Sequence, residues 1–241
     1  MDIKNSLSKF KNGVEFALTG SDYWCFDDWQ ELESKMDIKS VYYFFSKADN
    51  QTFHPKQWLL DPSYDISNDM RLKEKCRELV SDGHKLGIHG SYFSAENEEL
   101  FLREKELLER ATGSDIKKTR QHWLNYYEGK TPYIHNNTGI EEDSTIGFND
   151  IPGFRSGVAS MYNPYDHKNS ASFPFREIPL VVMDSHLYDY SSYSGVESLR
   201  WLFDSLGKVK NSMISIDWHQ RVISQDYGWT QGYKQIRALI A

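Results

Sequence analysis

Cysteine is scarce in this 241-residue chain. Cys25 and Cys76 are the only two, and they form no CxxC pair. A disulfide-stapled scaffold is thereby excluded, and a reducing compartment is expected. Long apolar runs are missing as well, since no window approaches the roughly 18 apolar residues of a membrane span. The opening MDIKNSLSKF has no apolar stretch after its basic residues, so it does not read as a secretory signal. The expected location is cytoplasmic. Basic charge is in deficit, with 28 Lys and Arg against 35 Asp and Glu and a net charge of −7. Nucleic acid and anionic membrane need concentrated positive charge, so neither is expected as the main partner. Internal repeats, low-complexity tracts and Pro/Gly/Ser linkers are absent too. Residues 1–241 therefore read as a single domain, a length that one α/β barrel commonly fills.

Aromatic residues, in contrast, are plentiful at 15%. They fit either a rich core or a cleft with sugar-stacking faces, and the count alone does not separate the two. Short apolar runs alternate with helical patterns along the chain. Strands are expected at Val14 to Leu18, Ser40 to Phe45, Lys85 to Ile88, 116–120, 140–144, Ile178 to Met183 and Met213 to Ile216. The SVYYFF run at 40–45 has the composition of a strand buried on both faces. Helices are expected at Trp29 to Met36, 69–80, 97–111, Val196 to Leu206 and Tyr233 to Ile240. Asp27 or Asp28 would cap the first of these, and Gly83 and Gly113 would end the second and third. The alternation implies βα units and a mostly parallel sheet, and about seven units fit a barrel better than an open sheet. Residues 145–175 show no strong period and read as a long functional loop.

In βα barrels, reactive side chains lie just beyond the C-terminal ends of strands. Asp22, His89, Arg120, His122, Asp184, Asp217 and His219 all fall there. His54, His135 and His167 sit in apparent loops. One cleft would gather the first set.

Six segments occur in order: HKLGIHGSYFS (84–94), RQHWL (120–124), EDSTIGF (142–148), GFRSG (153–157), EIPLVVMDSHL (177–187) and DWHQ (217–220). Together they resemble the polysaccharide deacetylases (NodB-like, carbohydrate esterase family 4), especially the branch found in bacterial surface-polysaccharide loci. The resemblance runs from about residue 14 to the C-terminus. It implies a distorted (β/α)7 barrel and a divalent metal, most simply zinc, that activates water for hydrolysis of an N-acetylated sugar.

Carried over residue by residue, the resemblance makes Asp22, His89 and His122 the metal ligands. His122 stands where the family usually has proline, and it could instead be bonded only to backbone. Ser21 stands where the family has its catalytic Asp, and Phe93 where it has a second histidine. Arg120 matches the arginine that orients the catalytic carboxylate. With that partner absent, it could contact substrate or pair with a structural carboxylate such as Asp143. His219 matches the general acid, a task suited to an imidazole that titrates near neutrality, with Asp184 orienting it. Asp217 or Asp28 could replace the missing base. Trp123, Arg155 and Tyr92 are expected to contact substrate, a backbone N–H near Trp123 being placed for the oxyanion. Arg155 could equally form a salt bridge that anchors its loop. Two functions follow from this reading: a metal-dependent deacetylase of a polysaccharide precursor, in O-antigen or capsule assembly, or a degenerate relative that binds a carbohydrate or a partner. A different metal-dependent hydrolase using the same cleft is a third.

Overall fold

The computed structural model describes residues 24–46, 66–190, 195–225 and 227–240. The expected strand at Val14 to Leu18, Ser21, Asp22 and His54 lie outside them. The backbone of the site is a parallel sheet. Strands β1 (Val41–Phe44), β2 (Lys85–Gly90), β3 (Lys118–Gln121), β4 (Glu142–Asp143) and β7 (Arg176–Glu177) pair in that order. Every neighbouring pair is parallel, with Ile88 opposite Thr119 and Thr119 opposite Asp143. Two residues after β7 the chain enters β8 (Leu180–Met183), which pairs in parallel with β9 (Ser215–Asp217). The C-terminal ends of β2, β3, β8 and β9 carry His89, Arg120, Asp184 and Asp217.

Helices cover the sheet because their apolar stripes have nowhere else to go. Helix α1 is Phe26–Lys35, α2 Met70–Ser81 and α3 Glu98–Thr112. The Asp69 and Asn97 side chains accept from the Leu72 and Leu100 N–H groups and so start α2 and α3. Gly113, at φ +71°, ends α3 in the left-handed region that glycine enters without strain. Leu72, Cys76 and Leu79 of α2 and Phe101 and Leu108 of α3 pack with Leu86 and Ile88 of β2 in one core. Each fully buried large side chain contributes about 1.5–3 kcal/mol. A second core joins Val181 and Val182 of β8 to Leu202 and Phe203 of α6 (Arg200–Leu206) and Ile236 of α7 (Thr230–Ile240).

Several expectations change in detail. Strand β1 is only half-buried except at Phe44, and the hydroxyls of Tyr42 and Tyr43 reach the buried Glu33 and Ser144. Asp27 and Asp28 lie inside the first turn of α1, whose N-cap is Cys25 with no side-chain cap bond. Asp27 instead pairs with Lys75 at 2.5 Å. The 145–175 stretch contains a small hairpin, β5 (Tyr165–Asp166) with β6 (Ala171–Ser172). His135 lies not in a loop but fully buried on a helix, Thr131–Asn137.

Candidate active site

Strand β3 delivers Arg120 into a nearly closed setting, 5% exposed at its side chain. A guanidinium there needs acceptors, and each of its nitrogens has one. Nε donates to the carbonyl and hydroxyl of Ser144 at 3.3 and 3.2 Å, and Nη2 to Ser215 Oγ at 2.6 Å. Nη1 donates to Asp217 Oδ1 at 2.5 Å. The carboxylate partner is therefore Asp217, not Asp143. Asp143 is engaged elsewhere, accepting from Thr145 N–H at 2.9 Å and from the Thr145 hydroxyl. Its other oxygen approaches His135 Nδ1 to 3.0 Å but off the hydrogen-bonding line.

Met183 ends β8 and Asp184 opens the short helix Asp184–Tyr188. The buried Asp184 carboxylate takes the backbone N–H of His219 at 2.7 Å, and both its oxygens lie 3.0 Å from His219 Nδ1. A carboxylate can only accept, so Nδ1 carries the proton and Nε2 faces away as the working nitrogen. Burial disfavours the imidazolium, but the Asp184 charge outweighs it and raises His219 to about 9. The side chain remains 46% exposed, so water screens part of that attraction.

His89 follows the same logic with the opposite outcome. Its Nδ1 lies 2.8 Å from the Arg120 carbonyl, which can only accept, so Nε2 holds the lone pair. Burial first, and the neighbouring His122 second, push His89 down to about 3. The ring is therefore neutral and able to ligate at physiological pH. The His89 and His122 ring centres are 4.7 Å apart. Two imidazoles on one tetrahedral ion, with metal–nitrogen bonds of about 2.0–2.1 Å, stand roughly 5 Å apart at their centres. The pair fits a shared cation, and a backbone carbonyl on the second nitrogen is the usual support for such a ligand. Among the described residues no group of three His, Cys, Asp or Glu side chains completes a metal site. Asp22 lies outside them.

Beside this cluster opens a cleft of about 830 Å³, lined by Tyr92, Phe93, Trp123, Tyr126, Phe148 and Arg155 among others. The expected substrate residues Tyr92, Trp123 and Arg155 thus share one wall system, and Phe93 presents a ring there. Trp123 is 49% exposed, and both it and Leu124 adopt left-handed backbone, φ 58° and 50°. For a residue with a side chain that conformation costs on the order of 1–2 kcal/mol, a strain that marks places where function fixes the chain. Arg155 lines the cleft, and its Nη1 donates to the carbonyls of Leu124 and Gly147 at 3.2 and 3.3 Å, so backbone acceptors rather than a salt bridge provide these anchors. His89, Asp217 and His219 do not line this cleft. His122 and Trp123, adjacent in the chain with ring centres 6.2 Å apart, join the two regions.

The part that sequence reasoning left open is the Arg120–Asp217 pair. The two residues are 97 positions apart, on strands β3 and β9 of different sheets, and only the fold brings them together.

Solved structures share this fold. A protein described as a polysaccharide deacetylase, from Mycobacterium smegmatis, aligns with a TM-score of 0.59 at 13% identity, over 98% of this chain and 79% of its own. One described as a polysaccharide deacetylase of O-antigen biosynthesis, from Bordetella bronchiseptica, gives 0.44 at 14% identity over 90% and 77%. A polysaccharide deacetylase from Bacillus cereus gives 0.44 at 9% identity over 88% and 82%. No protein-family model matches the sequence, and no curated protein matches it. At 13% identity the likeness to the first of these is one of fold, and it establishes the α/β architecture of the deacetylase barrels. No helix among the described residues is long and apolar enough to cross a membrane.

Proposed function

We propose that this chain is a polysaccharide deacetylase of the NodB-like type, one domain acting as a metal-dependent amide hydrolase on an N-acetylated sugar of a surface-polysaccharide precursor. The observation that carries the reading is the Asp184–His219 pair together with the closely spaced rings of His89 and His122, all at the C-terminal ends of parallel strands. His89 and His122, with Asp22, would hold a divalent ion, zinc by ligand chemistry. When bound, such an ion polarises a carbonyl and acidifies water.

The chain's own residues do the rest. Trp123, Tyr92 and Arg155 bind and orient the sugar in the cleft, aromatic faces meeting its C–H surfaces and the guanidinium its hydroxyls. A backbone N–H near Trp123 supports the charge that develops on the carbonyl oxygen. His219, charged at neutral pH and held by Asp184, gives its Nε2 proton to the departing amine, a step worth on the order of 10²–10⁴ in rate. A cytoplasmic setting, read from the sequence, favours a nucleotide- or lipid-linked precursor over a finished polymer.

Metal content tests the reading. Purified protein is expected to hold close to one zinc per chain, and His89→Ala to lose it. A parent chain that takes up no divalent ion, even when zinc is supplied, contradicts the proposal and favours a carbohydrate-binding relative.

A further inference from the structure

We infer that Asp217 is the carboxylate that positions the attacking water and accepts its proton. This rests on the deacetylase reading and deepens it by filling the place that Ser21 leaves vacant. The neighbouring carboxylates are already committed. Asp184 spends both oxygens on His219 and is 1% exposed at its side chain. Asp143 and Glu177 are 0% exposed; Thr145 holds the first, and the N–H of Ile146 donates to the second at 2.9 Å. Asp217 keeps 21% of its side chain open while one oxygen is fixed on Arg120. Open surface is what a group needs to touch water, and a fixed oxygen is what it needs to hold one orientation.

Its surroundings suit the task. Arg120 is immobilised by Ser144, Ser215 and the ring of Tyr43, whose centre lies 4.6 Å from its Cζ. The guanidinium thus acts as a bracket that aims the carboxylate, a positioning residue rather than one that touches substrate. Burial works to raise the Asp217 carboxyl, but the charges of Arg120 and His219 hold it below the usual carboxylate range, so it is ionised and purely an acceptor at working pH. It lies two residues from His219, at the end of β9, so base and acid leave one strand end together.

The step balances within these groups. A water proton passes to Asp217, the water oxygen bonds to the amide carbon, and the carbon–nitrogen bond breaks. The electron pair goes to nitrogen, which takes the Nε2 proton of His219. Acetic acid and the free amino sugar leave, and solvent returns the proton from Asp217 to His219.

The test uses the zinc-loaded full chain, N-acetylated sugar oligomers and acetate release. Asp217→Asn is expected to lower kcat by on the order of 10²–10⁴, with KM and zinc affinity within about threefold of the parent. Asp217→Ala is expected to recover part of the loss in added formate, which a purely structural role would not allow. If Asp217→Asn does not fold, the neutral pair Arg120→Gln/Asp217→Asn, which buries no lone charge, carries the test. A parent-like kcat in either variant overturns the assignment, as does a hundredfold loss of zinc affinity, which would make Asp217 a ligand. Those failures leave the deacetylase reading standing, whereas a zinc-loaded parent that releases no acetate removes both.

Discussion

Replacing Asp184 by Asn probes the electrostatics of the site with the least change of shape. The amide keeps an oxygen for the backbone N–H of His219, which the carboxylate accepts at 2.7 Å. It loses the charge, and with that oxygen occupied it offers nothing to accept the Nδ1 proton. In the parent, His219 titrates at about 9 against about 6.5 for an unperturbed imidazole. The folded state therefore binds the proton more tightly than the unfolded chain. The resulting stabilisation is fully present below about pH 6.5 and is lost as the pH rises through about 9. Because 46% of the side chain is exposed, water screens the pair, and the contribution is on the order of 1 kcal/mol. Imidazole NMR on metal-free protein between pH 5 and 10 reads the midpoint directly. It should fall by one or more pH units in Asp184→Asn, roughly toward the unperturbed value. Urea denaturation should show the variant's deficit to be larger at pH 6 than at pH 10. Coincident midpoints, or a deficit that grows with pH, would refute the reasoning.

Further outcomes follow from the same geometry. Arg120→Ala strands the Asp217 charge in a mostly closed setting and should cost about 3 kcal/mol or more by denaturant unfolding. Trp123→Ala removes the exposed ring of the cleft and should raise KM roughly fivefold to tenfold, for about 1 kcal/mol of lost contact, with kcat little changed. Leu79→Ala empties a fully buried position of α2 and should destabilise by about 2–5 kcal/mol without altering zinc uptake.

Periodicity and the stops at Gly83 and Gly113 made α2 and α3 legible, since both are local signals; the N-caps Asp69 and Asn97 are seen only in the structure. The end of β8 was legible for a similar reason, LVVM being a short apolar run followed by Asp184, whereas β3, KTRQ, is largely polar and carries little strand signal of its own. The helix Thr131–Asn137 was not, because TPYIHNN spans under two turns and owes its form to the burial of Ile134 and His135. Asp27 illustrates the opposite failure. Its position at a helix start suggested a cap, yet Lys75 from another helix claimed it. In the site, His219 and Asp184 were paired from the order of the motifs, and the structure sets them in contact. The link from Arg120 to Asp217 was invisible, because ion-pair partners 97 residues apart leave no spacing to read.

The most direct measurement is acetate release from N-acetylated sugar oligomers and precursors by the zinc-loaded chain, with His219→Ala in parallel. Release that stops on chelation, and that falls by on the order of 10²–10⁴ in the variant, is the predicted result. Release at the parent rate from His219→Ala, or none from the loaded parent, would contradict it.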